Sequence, residues 1–397
     1  MQLIDSIVAE AAVFRRIRRD IHAHPELCFE ETRTSDLVAE QLQQWGVEVH
    51  RGLGRTGVVG VIEGRGRGER AIGLRADIDA LPVTEKNTFD HASRHVGRMH
   101  ACGHDGHTAM LLATARHLAR ERDFAGRVVC IFQPAEEGGG GAREMLRDGL
   151  FERFPVDAVF AMHNWPGLPA GKFAIASGPV MASSNEFRIV VRGKGSHAAM
   201  PHLGLDPVPV ACQIVLALQS LVSRNKNPLE AGVVSVTMVH GGEATNVIPD
   251  SVELQGTVRT FTTSLLDMIE STMQRIATHT AQAFGLSCDF EFSRNYPPTV
   301  NHAAQTEFAR RVMLELVGDD GVVAFEPSMG AEDFSYMLQQ RPGAYVIIGN
   351  GGGDHRDPGH GAGPCTLHNA SYDFNDEILP LGASFFVRLA QRWLAQP

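Results

Sequence analysis

The chain has 397 residues, 43% of them hydrophobic and 21% charged, with a formal net charge of −10. This is the composition of a soluble globular protein long enough for two domains. The acidic balance, with no run of Lys or Arg, argues against a nucleic-acid partner.

Apolar residues at helical spacing predict helices over Leu3 to Asp20 and Ser35 to Trp45. The N-terminal stretch runs apolar first and basic second, the reverse of a secretory signal, which predicts a cytoplasmic protein. Strands fit Gly57 to Ile62 and Ala71 to Arg75. A helix fits His107 to Arg120, with Asp105 as its N-cap. Val128 to Phe132 and Ala158 to Met162 read as buried strands. This alternation is that of an α/β layer.

The middle of the chain differs. Asn185 to Arg192 alternates as a half-exposed strand. A helix follows over Pro207 to Ser223, then strands at Val233 to His240 and Val252 to Thr260, a helix over Thr263 to Phe284 and a strand at Ser287 to Ser293. The β-α-β-β-α-β order predicts an inserted α+β open-faced sandwich, ferredoxin-like, at residues 181–293. Elements of the first kind resume after Tyr296-Pro297-Pro298. The larger α/β domain, with a mixed, mostly parallel sheet and flanking helices, is therefore split into 1–180 and 294–397. The apolar run Val208 to Leu218 is too short and interrupted for a membrane span, so no membrane partner is expected.

Cys28, Cys102, Cys130, Cys212, Cys288 and Cys365 lie far apart with no CxxC pair, which is neither a disulfide framework nor a zinc knuckle. Cys130 and Cys212 sit in apolar runs and read as buried, inert thiols. Cys102 lies instead in the polar stretch MHACGHDGH.

Open α/β sheets bind ligands at the carboxyl ends of their strands. Three of the predicted strands run into acids or histidines there. AIGLRADIDALP ends in Arg75, Asp77 and Asp79, RVVCIFQPAEEGG in Glu136 and Glu137, and DAVFAMHNWP in His163. Cys102 and His104 are two apart, with Gly103 between, so both can face one metal edge, and a thiolate with an imidazole suits zinc and other late first-row metals. A Cys–His nucleophile pair fits less well, because nearby carboxylates raise a thiol pKa. His100 and His107 read as packing or supporting residues. Of the adjacent glutamates, one can hold metal while the other faces a metal-bound water as base. Near the C-terminus, His355, His360 and His368 share a glycine-rich region, and the residues alone do not choose among them.

These motifs, in this order, resemble the metal-dependent amidohydrolases of the aminoacylase/carboxypeptidase superfamily, in the hippurate hydrolase and indole-acetyl-amino-acid hydrolase branch. The resemblance spans nearly the whole chain, from RRDIHAHPELCFEE through GRMHACGHDGHTAMLL and VRGKGSHAAMPHLGLDPV to PSMGAEDFSYML and LHNASYDFNDEILPLGA. It implies two divalent metal ions (Mn, Zn, Co or Ni) on Cys102, His104, Glu137, His163 and His368, which selects His368 among the late histidines. It implies Glu136 as general base and Asp79 as the acid that orients a ligand. His197 resembles the histidine that stabilises the oxyanion, in some relatives donated by the partner subunit, and Asn246 and Arg259 resemble residues that hold the substrate amide and carboxylate. The implied activity is hydrolysis of small-molecule N-acyl amino acids by a homodimer that pairs through the inserted domain, which also serves as a lid. A dipeptidase or carboxypeptidase on the same scaffold, or a catalytically silent metal-dependent binding protein, are the alternatives. Many relatives read His-Asn-Pro where this chain has His368-Asn369-Ala370.

Overall fold

In the computed structural model the described residues are 1–356 and 358–396; Asp357 and Pro397 lie outside them. The chain opens with helices α1 (Asp5–Ala9), α2 (Ala11–Ala23) and α3 (Thr32–Gln44), so the first predicted helix is broken at Glu10. Strands β1 (Glu48–Leu53), β2 (Gly57–Glu63) and β3 (Gly66–Asp77) lead to α4 (His104–Glu121), β4 (Ala125–Gln133), α5 (Gly141–Arg147), α6 (Leu150–Arg153), β5 (Ala158–Pro166) and β6 (Phe173–Ile175). Next come β7 (Gly178–Met181), β8 (Ser184–Arg192), β9 (Ser196–His197), α7 (Pro207–Ser220), β10 (Gly232–His240), β11 (Val247–Ile248), β12 (Ser251–Thr260), α8 (Thr263–Ala283) and β13 (Ser287–Tyr296). The chain closes with β14 (Thr299–Asn301), α9 (Ala303–Val317), β15 (Val322–Ala324), α10 (Ser335–Gln340), β16 (Gly343–Gly351) and α11 (Leu379–Leu394).

Two compact units result: Met1–Gly178 with Val300–Glu326 and Asp333–Pro397, and Pro179–Thr299 with Pro327–Glu332. The first contains an eight-stranded sheet in the order β1-β2-β4-β3-β5-β16-β6-β15. Strands β4, β3, β5 and β16 run parallel to one another. Their buried runs (Ile72, Leu74, Val128, Cys130, Phe160, Val346) pack with α4 and α11 into one core. Because β3, β4 and β5 are parallel, their carboxyl ends share one edge, and this is what gathers the site.

The second unit contains an antiparallel sheet in the order β10-β12-β8-β13, with α7 and α8 packed on one face. Strand β12 alternates half-exposed and buried residues along its whole length, the period of a sheet covered on one side.

Three readings of the sequence are corrected here. The helix after the Cys/His stretch starts at His104, and Gly103, in the left-handed region at φ +92°, holds the cap position. Asp105 is therefore inside the first turn, wholly buried against His22 and Arg18, and caps nothing. Cys212 is exposed, because α7 buries Val210, Ala211, Ile214 and Leu218 and turns Cys212 outward. Finally, α7 continues through a π-turn to Asn225, so Pro207–Asn225 spans 19 residues with mean hydropathy 1.2, long and apolar enough for a membrane by those measures. Its inner face packs in the core of its own unit.

Candidate metal centre

The site is built from five segments of the first unit. Strand β3 ends at Asp77, and Asp79 follows two residues on. The turn after β4 carries Glu136 and Glu137, β5 carries His163, and the turn into α4 carries Cys102, with His104 opening the helix. His368 comes from the loop before α11. The ligand-type atoms of Cys102, His104 and His163 lie within 4.8 Å of one another, as do those of Cys102, Glu137 and His368, and those of His104, Glu136 and Glu137. All six predicted residues of this unit's cluster are thus brought together. His355 and His360 are not among these groups; His355 Nε2 lies 3.2 Å from Asp373 O and His360 Nδ1 lies 3.0 Å from Gly361 O.

Gly103 has a steric reason to be glycine. A Cβ there would lie 2.3 Å from the Asn164 amide nitrogen and 2.5 Å from the Tyr372 hydroxyl, besides the left-handed backbone. Those two groups support the cluster. Tyr372 Oη donates to Asn164 Oδ1 at 2.8 Å, and Asn164 Nδ2 donates to Cys102 O at 2.6 Å. Asn164 N donates to His107 Nε2 at 3.0 Å, which leaves the His107 Nδ1 proton for Asp77 Oδ1 at 2.6 Å. Asp77, His107, Asn164 and Tyr372 therefore hold Cys102 and the neighbour of His163 in place.

The tautomers follow from the partners. His104 Nδ1 donates to Asp79 O at 2.9 Å and lies 3.2 Å from Asp79 Oδ1. Its Nε2 is buried and makes no hydrogen bond. His163 Nδ1 donates to Asn164 O at 2.6 Å, so its Nε2, 3.4 Å from Cys102 Sγ, carries the lone pair. Glu137 Oε1 lies 3.3 Å from His368 Nε2 and 3.9 Å from His104 Nε2. The backbone N–H of Glu137 donates to Asp79 Oδ2 at 2.9 Å, so Asp79 steadies both a histidine and the glutamate turn.

Charge is unbalanced here. Burial lowers the His104 pKa, but Asp77, Asp79 and Glu137 outweigh it and raise it to about 10. Burial, and then His107, hold His163 well below the usual histidine range, so it is neutral. Burial first, then the Glu137 and Glu136 carboxylates, push the Cys102 thiol well up. A free Cys102 is thus held as a thiol, which weighs against the Cys–His nucleophile pair. Burial opposes ionisation of Glu137, but the His368 bond and the His104 charge lower its pKa.

The residues fit divalent metal. An unpartnered buried imidazole nitrogen, a thiol, a carboxylate and two further imidazoles converge, with the outer histidine nitrogens already bonded to carbonyls. Binding must displace protons from Cys102 and His104, and the surrounding carboxylates favour the incoming charge.

Two residues of the site sit on strained backbone. Ala135, just before Glu136, has φ +54°, and His368 has φ +61°. His368 is tied by its N–H to Ala101 O at 2.7 Å, and Ala370 O accepts from Lys86 N at 2.8 Å.

In the second unit, β9 pairs with β11, placing Val247 opposite His197, and Ala198 N donates to Asn246 O at 3.0 Å. His197 and Asn246 therefore meet where two exposed segments, distant in the chain, pair. His197 Nδ1 accepts from Ala199 N at 3.1 Å. Arg259 lies on β12 opposite Val233 of β10, and burial lowers its pKa against the pull of Glu186.

Residues 73–392 match the family model for Peptidase family M20/M25/M40. The chain is 39% identical over 395 residues to the hippurate hydrolase of Campylobacter jejuni, covering 99% of this chain and 100% of that protein. It is 40% identical to thermostable carboxypeptidase 1 of Saccharolobus solfataricus, covering 95% of this chain and 94% of that one. Among solved structures it resembles the Bacillus subtilis YXEP protein, described as a dinuclear metal-binding peptidase, with TM-score 0.84, 35% identity and coverage of 98% and 99%. The chain belongs to peptidase family M20/M25/M40 and is a hydrolase of that family.

Proposed function

We propose that this protein hydrolyses the amide bond of N-acyl amino acids, hippurate-like or N-acetylated, to a carboxylic acid and a free amino acid. The observation that carries the reading is the convergence of Cys102, His104, Glu137, His163 and His368 beside a second glutamate, Glu136. The hippurate hydrolase relative supports the substrate class.

Two divalent ions on those five residues supply Lewis acidity toward the amide carbonyl and lower the pKa of a nearby water. Glu136 is buried, and its carboxylate lies beside His104 and Glu137. It takes the proton of the attacking water and passes it to the leaving amine, which suits a carboxylate held next to cationic groups. Asp79 holds His104 in the tautomer that leaves Nε2 for metal. His197 is assigned to the oxyanion, Asn246 to the substrate amide and Arg259 to its carboxylate. The exposure of His197 and Asn246 supports these roles, since each is available to a ligand. Manganese, zinc, cobalt and nickel all suit the donor set. A homodimer through the second unit is part of the same reading; the outward Val208 and Leu216 of α7 support it, and light scattering tests it.

The test is metal removal and Glu136→Ala on hippurate and acetyl-amino acids. Chelation abolishes turnover, and add-back of each metal in turn restores it and ranks the metals. Glu136→Ala lowers kcat by about 10²–10⁴-fold with metal still bound. Turnover that survives complete metal removal, or near-wild-type kcat in Glu136→Ala, overturns the reading. The carboxypeptidase relative favours a second reading, peptide substrates. Higher kcat/KM on unblocked dipeptides than on N-acyl amino acids would select it.

A further inference from the structure

Ala135 is a left-handed alanine directly before the base, and something must hold it there. Its N–H donates to Glu31 Oε1 at 2.8 Å. The same Glu31 oxygen accepts from Phe29 N at 3.0 Å, and Oε2 accepts from Thr56 Oγ1 at 2.6 Å. Phe29 has φ +64°, and Arg55, beside Thr56, has φ +73°. Among the described residues, five non-glycine positions have positive φ; two of them, Phe29 and Ala135, donate to this one carboxylate, and a third, Arg55, precedes Thr56, which also does. Such backbone persists only where its surroundings over-determine it.

The glutamate turn is therefore clamped on both sides of Glu136. Glu31 holds the N–H of Ala135, and Asp79 holds the N–H of Glu137 at 2.9 Å. Glu31 is wholly buried. Burial first, and Asp79 second, push its carboxyl up to about 7. A carboxyl whose folded pKa is raised weakens the fold as pH rises from the ordinary carboxylate range through 7.

We propose that Glu31 is a positioning residue for Glu136: its carboxylate locks the left-handed Ala135 turn, and so fixes where the base stands. This rests on the reading of Glu136 as base. Glu31 touches neither substrate nor metal in this account; it acts through the backbone.

The experiment compares Glu31→Ala, Glu31→Gln, Thr56→Val and Glu136→Ala as metal-loaded enzymes, measuring kcat, KM and metal per subunit on hippurate. Glu31→Ala lowers kcat by roughly 100-fold, the scale of a displacement of about 1 Å, while KM stays within about threefold and metal content is unchanged. Glu31→Gln keeps the carbonyl acceptor for both backbone N–H groups and can donate to Thr56, so its kcat recovers to within about fivefold of wild type. In the Glu136→Ala background, Glu31→Ala causes no further loss. If Glu31→Ala does not fold, Thr56→Val decides: releasing one side of the carboxylate lowers kcat by about tenfold at unchanged KM. The proposal is overturned by a Glu31→Ala kcat within about twofold of wild type. It is equally overturned if Glu31→Gln is as impaired as Glu31→Ala, if metal is lost in step with activity, or if Thr56→Val is unaffected. Failure of the base reading looks different: Glu136→Ala itself would then turn over normally.

Discussion

Arginine meets carboxylates in both units, under opposite conditions. In the first unit Arg18 is wholly buried, with Nε 2.7 Å from Asp376 Oδ1 and NH1 3.1 Å from Asp373 and 3.4 Å from Asp105. His22 joins the same cage, 2.8 Å from Asp105 and 3.2 Å from Glu85. In the second unit Arg188 and Arg192 stand on the open side of the sheet, bonded to Glu253 and Asp289. Buried charges must repay desolvation through near-complete pairing, whereas exposed ones stay solvated and gain little. Asp105 is the neighbour of His104, so the cage also fixes the first turn of the helix that carries the metal site. The second unit has no such duty in its sheet; apolar alternation specifies it.

The sharpest way to break this contrast is to remove the buried arginine. Arg18→Met leaves Asp105, Asp373 and Asp376 buried with His22, His91, Arg19 and the more distant Arg15 nearby, and is expected to destabilise by about 3–5 kcal/mol in urea denaturation. A loss below about 1 kcal/mol would put the cage in the same class as a surface pair.

The pH dependence of stability is the next test. Burial opposes the His22 charge, but Asp105 and Glu85 win and raise its pKa from 6.5 to about 10. Its contribution is thus full below 6.5 and is lost as pH rises toward 10. Asp105 and Asp373 run the other way. Burial opposes their ionisation, yet His22 and Arg18 respectively hold their pKa values well below the usual range. Their contribution is present above about pH 4 and is lost on acidification. The cage is therefore strongest from about pH 4 to 6.5. His22→Asn should flatten the alkaline limb of thermal stability and weaken the part of the acid limb due to Asp105, while the part due to Asp373, held by Arg18, remains. An alkaline limb unchanged in that variant would show that His22 is not the group that titrates.

What the sequence made legible follows the same divide. Strands and helices are carried by local periodicity, so β3, β4, β5 and both helices of the second unit lie within a few residues of their expected places. Asp79, Glu136, Glu137 and His163 stand out because acids and histidines at the ends of apolar strands are locally odd. Asp77 stands out in the same way, but its partner does not, since His107 is 30 residues on; Glu31 is odd only through Ala135, 104 residues away. No local pattern encodes such pairs. The errors have the same root. Asp105 has the residue type and place of an N-cap, but Arg18 and His22 draw it inward. Cys212 lies in an apolar run, yet a helix always turns part of such a run to solvent.

The smallest effect should come from the exposed pair. Arg192 Nε donates to Asp289 Oδ2 at 2.7 Å, and the two side chains are 56% and 50% exposed. They are diagonal neighbours across the strands, since Arg192 lies opposite Ser287, two positions from Asp289. Solvent screens such a pair, and holding two long side chains together costs entropy. Arg192→Ala is therefore expected to change stability by less than about 1 kcal/mol. The coupling with Asp289→Ala in a double-mutant cycle should fall further at about 1 M salt, where the screening length is near 3 Å. A salt-insensitive coupling as large as the effect of Arg18→Met would mean that burial is not what separates the two arginines, and the contrast would fail.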